Sequence, residues 1–215
     1  MVERTVWDRE VVSSNLTSPT DIYTHHALTK KIRMRELVVL VNEQNEEIGT
    51  CEKIKLHTSN TPLHRGFSVF ILSDSGKTLI QKRSNKKKTF PLIWSNACCG
   101  HPLPGESVID AAKRRLMFEL GIAACDLEIV LPDFRYRAVF KNVMENEICP
   151  VLVGFYHGSI KINKNEVEKT EWILWSEFLK KAKSNDVNFS FWSKKEAIEL
   201  AGNRTFKNLL KKITS

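Results

Sequence analysis

Residues 96–122 read NACCGHPLPGESVIDAAKRRLMFELGI, and this stretch decides the fold class. Ser107 can cap a helix running to Leu120, because Val108, Ala111, Ala112, Leu116 and Leu120 recur at helical spacing and Gly121 supplies the stop. Just upstream, alternation along a strand would put Cys99 and His101 on one face and Cys98 on the other. The stretch is therefore a strand and loop feeding a helix.

Working outward, the N-terminal side reads as strands: Leu37 to Val41, a turn around Asn42 to Glu47, then Phe67 to Leu72, with Ser73 to Gly76 closing a hairpin onto Thr78 to Lys82. Beyond the helix, Glu128 to Ala138 and Glu147 to Tyr156 read as two more extended segments, followed by Val167 to Trp175. The last forty residues turn helical. There Ser193 with Glu196 spells a capping box, Gly202 marks the end of that helix, and Phe206, Leu209 and Leu210 mark a final amphipathic turn or two. The expected class is α/β, a mixed β-sheet flanked by helices, in one domain over residues 36–215. Residues 1–35 are polar and aperiodic and are expected to be a poorly ordered N-terminal extension, with Met34 an alternative initiator.

Composition narrows the function classes. With 215 residues, 42% hydrophobic and 27% charged, the chain can bury a real core, which excludes collagen, a disordered tail and a disulfide-stapled peptide. The longest apolar run, Leu37 to Val41, falls far short of the roughly 18 residues a bilayer span needs, and the N-terminus does not read as a secretory signal. A cytoplasmic location is expected, with no membrane partner. Five cysteines, irregularly spaced, argue against a disulfide framework and for reduced thiols. The net charge of +8 favours an anionic partner. Gln81 to Lys88 carries five cations and no acid, but aromatics do not interleave with it, which weighs against nucleic acid.

From Gly100 the spacing runs five residues to Glu106, seven to Arg114, then Leu116, Glu119, Gly121 and Ile122. This resembles the Nudix box, G-x5-E-x7-R-E-U-x-E-E-x-G-U, in which U is a bulky apolar residue. Arg115 and Phe118 stand where that box has two of its glutamates. A hydrolase needs the acid cluster to hold metal and activate water, so the two replacements count against hydrolysis, and Arg115 suggests phosphate binding. Elsewhere, His57, His64, His101, Glu145 and Glu147 would make a nitrogen-and-oxygen cage suited to zinc or manganese if they converge.

Taken together, Glu52 to His64, Lys82 to Lys87, Trp94 to Ser107, Asp133 to Arg137 (DFRYR) and Glu145 to Pro150 (ENEICP) are similar to the type I isopentenyl-diphosphate isomerases, from about residue 36 to the end. The resemblance implies a Nudix-type sheet between helices and reversible conversion of isopentenyl to dimethylallyl diphosphate. It implies that Cys99 and Glu147 flank the substrate, that Tyr136 hydrogen-bonds near the glutamate, and that Trp192 shields the hydrocarbon. It further implies a cage metal, Mn2+ or Zn2+, on His57, His64, His101, Glu145 and Glu147. Glu119 would help hold a Mg2+ bridging the diphosphate, and Lys53, Arg83, Lys87 and Arg115 would be the diphosphate-binding cations. No flavin, no nucleic acid and a monomer are expected.

Those residue types suit the chemistry. Moving a double bond by proton addition and removal passes through a tertiary carbocation, which water would capture and an aromatic face stabilises. Trp192 answers that need, with Trp94 a second candidate. Cys99 and Glu147 supply one acid and one base, their order set by direction. The Cys98–Cys99 doublet leaves two thiols to choose from, and Cys99 is chosen because it directly precedes Gly-His-Pro. The rivals are a Nudix hydrolase and a non-catalytic RNA- or membrane-binding module.

Overall fold

A computed structural model describes residues 36–184 and 186–214. The expected extension over residues 1–35 and the Met34 start lie outside the described residues. From Leu37 onward the chain forms one compact unit.

Strands β1 (Leu37–Val41) and β2 (Glu47–Glu52) pair antiparallel and lead into the short helix α1 (Lys53–Leu56). Then come β3 (His64–Arg65), β4 (Phe67–Leu72), β5 (Lys77–Arg83), β6 (Trp94–Ser95) and β7 (Cys98–Gly100), followed by helix α2 (Val108–Leu120). Strands β8 (Leu127–Leu131), β9 (Arg135–Phe140), β10 (Val143–Ile148), β11 (Val151–Phe155) and β12 (Val167–Leu174) follow, and helices α3 (Trp175–Lys183), α4 (Phe191–Gly202) and α5 (Arg204–Thr214) close the chain. One sheet runs β2-β1-β3-β10-β9. The other runs β12-β5-β4-β11-β8, with β6 on β5 and β7 on β4. Both are mixed: β3 with β10 and β4 with β11 are parallel pairs among antiparallel neighbours.

The second sheet divides two cores because its strands alternate. Phe67, Val69 and Ile71 of β4 pack with Ala111, Ala112, Leu116 and Leu120 of α2, while Phe70 and Leu72 pack with Phe178 of α3, Ala197 and Leu200 of α4, and Phe206 of α5. Helices thus cover both faces. Each of these large side chains is fully buried, worth about 1.5–3 kcal/mol of transfer free energy apiece. Helix α2 starts where the sequence says: the Ser107 hydroxyl accepts the Asp110 N–H, and Gly121 takes the left-handed conformation at φ 70°.

Three expectations need correction. Glu128 to Ala138 is not one extended segment but β8 and β9, broken by a turn at Pro132-Asp133. Glu147 to Tyr156 is likewise β10 and β11, broken at Cys149-Pro150. Each proline lacks the N–H a ladder needs, and at both breaks the chain passes from one sheet to the other. The Ser193–Glu196 capping box does not form either. Ser190 is the cap, accepting the Ser193 N–H, so α4 begins three residues earlier and Glu196 lies inside it, fully buried. Gly202 is its last residue and Asn203 the C-cap.

Candidate active site

The first sheet with its flanking loops, and the end of β7 in the second sheet, bring the histidines and acids together. His64 is opposite Glu147 across the parallel β3–β10 pair, His57 follows α1, and His101 follows β7. Ligand atoms of His57, His64, His101 and Glu147 all lie within 4.8 Å of one another, and Glu145 joins through its Oε2, 2.8 Å from His57 Nε2. His64 Nδ1 lies 2.9 Å from the Pro62 carbonyl oxygen and donates to it, which leaves the Nε2 lone pair turned inward, 3.5 Å from Glu147 Oε1. His101 Nε2 lies 3.2 Å from the same oxygen. Burial drives the His101 imidazole down to about 4, so it is neutral. Burial would by itself raise the Glu147 carboxyl, but the neighbouring His101 and His64 rings outweigh it and hold that carboxyl well below the usual range.

His57 Nε2, His64 Nε2 and Glu145 Oε2 are buried with no aligned hydrogen bond, although each has a close neighbour. Only His101 and Glu147 in this group share an aligned hydrogen bond, so the remaining inward-facing atoms are arranged as ligands, and imidazole plus carboxylate suits a borderline divalent ion. The group fits a metal.

Cys99 approaches from the second sheet. Its thiol donates to Asn96 Oδ1 at 3.1 Å, and the Ser68 hydroxyl lies 3.4 Å from its sulfur. The Asn96 amide cannot flip, because Nδ2 donates to the carbonyls of Val69 and Cys98 at 3.1 and 3.0 Å. Burial first, then the Glu196 charge, pushes the Cys99 thiol up to about 12, so it holds its proton at neutral pH. Cys98 faces the other way and packs under α2. The alternation expected across the doublet is therefore observed, and all five cysteines are free.

Tyr136 is the cross-strand partner of Glu147, on the same face of the sheet. Burial raises its phenol well above the ordinary value, and Glu147 and Cys99 both lie close enough to add to that rise. The Trp192 ring, 3% exposed, covers Tyr136 at 5.8 Å between centroids and meets Phe90 at 5.0 Å. The Arg83 guanidinium lies 5.7 Å from the Trp192 centroid and donates to the carbonyls of Phe90 and Thr89. Trp94, the second aromatic candidate, instead stacks on Phe189 beneath the Lys169 ammonium.

The other cations gather beside α2. Lys87 Nζ sits 2.5 Å from Glu166 Oε2, and Arg115 Nη2 lies 3.1 Å from the same oxygen. Arg115 also pairs with Glu119, whose second oxygen accepts from Gln81 Nε2 at 3.2 Å. Lys53 is near enough to lower both His101 and Glu166. Glu119 and the unpartnered, buried Gln81 Oε1 offer hard oxygen donors of the kind magnesium takes. Lys87, Arg115 and Glu119 thus cluster together, while Arg83 stands with Trp192.

The family model described as NUDIX domain matches residues 62–192. An "Isopentenyl-diphosphate Delta-isomerase" of Saccharopolyspora erythraea is 42% identical over 166 residues, covering 77% of this chain and 86% of that protein. The chain belongs to the isopentenyl-diphosphate Delta-isomerases of the Nudix family. A second isomerase of that name, from Mycolicibacterium vanbaalenii, is 47% identical over 141 residues, 65% of this chain and 78% of the other. In fold alone, the chain resembles the Deinococcus radiodurans protein DR0079, with a TM-score of 0.60 at 19% identity over 76% of this chain and 98% of that one. Among the described residues of this isomerase-family chain, no helix is long and apolar enough to cross a membrane.

Motif reading missed Gly66, Ser68, Gln81 and Glu166. Asn96 lies inside the Trp94 to Ser107 motif with no expected role of its own, and Glu196, the expected partner of Ser193 in a capping box, is instead a buried carboxyl of α4. Gly66 carries a local signal in hindsight, a glycine directly ahead of a buried strand. A Cβ there would stand 2.1 Å from Glu147 Oε2, so the carboxylate occupies the space a side chain would fill. Gly66→Ala is expected to displace Glu147 and lower both bound divalent metal and turnover by roughly tenfold or more, read by metal analysis and rate on one preparation. Glu166 comes from a polar stretch with no pattern of its own, and only the packing of the loop before β12 brings it to the cations.

Proposed function

We propose that this protein interconverts isopentenyl diphosphate and dimethylallyl diphosphate through a tertiary carbocation, in the cytoplasm, as a monomer, without nucleic acid, membrane or flavin. One observation supports the site reading: Glu147 stands opposite the buried Tyr136 in register beneath the Trp192 ring, and Cys99, a thiol that holds its proton, is close enough to raise the same phenol.

In the direction of dimethylallyl diphosphate, one group gives a proton to the terminal methylene and the other removes one from the carbon next to the cation. One C–H bond forms, one breaks, and the reverse direction exchanges the roles. The Trp192 face stabilises the intervening charge and keeps water out. Tyr136, beside Glu147 in register, steadies that carboxyl. Lys53, Arg83, Lys87 and Arg115 anchor the diphosphate. His57, His64, His101, Glu145 and Glu147 would hold Mn2+ or Zn2+, and Glu119 a Mg2+ shared with the diphosphate. When bound, these ions supply positive charge beside Glu147 and against the phosphates.

The loss of the box acids at Arg115 and Phe118 fits an enzyme that keeps the diphosphate intact. Purified protein incubated with isopentenyl diphosphate should form the dimethylallyl isomer and release no phosphate above background. Phosphate release without isomerisation would make the hydrolase reading the right one.

A further inference from the structure

The loop before β12 is fastened to the turn that carries Lys87. The Ser84 N–H donates to the Glu166 carbonyl at 3.0 Å, the Ser84 hydroxyl to the Lys164 carbonyl at 3.0 Å, and Lys86 Nζ to Asn165 Oδ1 at 2.8 Å. The Glu166 N–H donates to the Asn163 carbonyl at 2.9 Å, and the Asn163 N–H in turn reaches the Glu119 carbonyl on α2, also at 2.9 Å. Glu166 is thereby set between the two elements that supply Lys87 and Arg115. Its Oε2 accepts from both, from Lys87 Nζ at 2.5 Å and from Arg115 Nη2 at 3.1 Å. Nothing in the mechanism above uses this carboxylate. Burial alone would raise it, but the Lys87 and Arg115 charges outweigh burial and hold it below the usual carboxylate range, so it stands there as an anion.

An anion in that position either orients the two cations or takes the place of a phosphate. Orientation is already supplied to Arg115, because Glu119 Oε1 accepts from both its Nε and its Nη2. One oxygen bridging two cations from separate elements is instead the arrangement a phosphate oxygen would adopt. A diphosphate seated on the same cations would meet like charge if the carboxylate stayed. Glu166 has somewhere to go: its backbone is pinned, but 17% of its side chain is exposed, so it can turn outward without moving the loop. We propose that Glu166 is a built-in competitor for the diphosphate: it holds the place of a phosphate oxygen between Lys87 and Arg115, and the substrate binds by displacing it. An anion that must first displace the carboxylate binds more weakly by the fraction of time the carboxylate is away, and that factor is the same for every anion. Weakly held ions such as inorganic phosphate are thereby kept off the site. The inference rests on the reading of Lys87 and Arg115 as diphosphate-binding cations.

The test titrates magnesium pyrophosphate and inorganic phosphate calorimetrically into full-length, metal-loaded wild type and Glu166→Gln, a substitution that keeps the shape and removes the charge. Both anions are expected to bind the variant roughly tenfold tighter, by a common factor. KM for isopentenyl diphosphate should fall by a similar factor without a rise in kcat. The variant alone should melt below wild type, because its two cations then repel, and saturating pyrophosphate should narrow that gap. A folded Glu166→Gln that binds pyrophosphate with wild-type or weaker affinity overturns the proposal, as does a gain for pyrophosphate with none for phosphate. Should Glu166→Gln fail to fold, Glu166→Asp, whose carboxylate is withdrawn by one carbon, decides. Tighter pyrophosphate binding than wild type supports the competitor, and equal or weaker binding overturns it. Lys87→Met is run in parallel: wild-type pyrophosphate affinity in that variant defeats the reading of these cations itself, whereas a weakened Lys87→Met beside an unchanged Glu166→Gln defeats this inference alone.

Discussion

Cys99→Ala lowers turnover in both directions by roughly two to four orders of magnitude, the range associated with removing a positioned proton carrier. The side chain is only partly buried and alanine fits the same strand, so stability should move by about 1 kcal/mol or less. Cys98→Ala provides the contrast. Its sulfur packs under α2 in the opposite core, so turnover is largely retained while urea unfolding shifts to lower concentration by the amount a small cavity produces. The pair separates chemistry from packing within two adjacent residues. An active Cys99→Ala, or a folded but dead Cys98→Ala, would mean that the wrong face of the strand had been assigned to the substrate.

Glu147→Gln has an effect of similar or greater size, because one carboxylate serves two tasks. It faces His64 and His101 at 3.5 and 3.2 Å, and it lies opposite Tyr136. The amide can neither exchange a proton at the carbon beside the cation nor bring a negative charge to the cage. Turnover is expected to fall by roughly two orders of magnitude or more, and bound divalent metal by roughly ten- to a hundredfold. The stability readout has a definite sign. An ion that binds only the folded state raises the unfolding midpoint, so a strong chelator should lower the midpoint and activity of the wild type yet leave the midpoint of Glu147→Gln nearly unmoved. Full turnover by verifiably metal-stripped wild type would remove the cage from the reading.

The features legible in the chain were those whose physics is local. Ser107 and Gly121 bound α2 through hydrogen bonds spanning three or four residues, and the alternation at Cys98–Cys99 follows from the period of a strand, so both could be read without a fold. The capping-box reading at Ser193 failed in the same short-range terms. Ser190 offers the same hydroxyl three residues earlier, and starting there places Trp192 and Glu196 on the buried face. Pro132 and Pro150 were in plain view, but a missing N–H says only that a ladder stops, not that the strand beyond it joins another sheet.

By itself, then, the sequence determined the helix carrying Arg115 and Glu119, the loop that precedes it, and the kinds of ligand and cation available. The tertiary structure alone decided that His64 pairs with Glu147 across a parallel register, that Glu166 reaches Lys87 and Arg115 from a distant loop, and that Glu196 has a dry place near Cys99. The physical reason is range. Caps and alternation are fixed by neighbours along the chain, whereas convergence and desolvation depend on which strands pair and which faces are buried, and those are settled only when the whole core assembles.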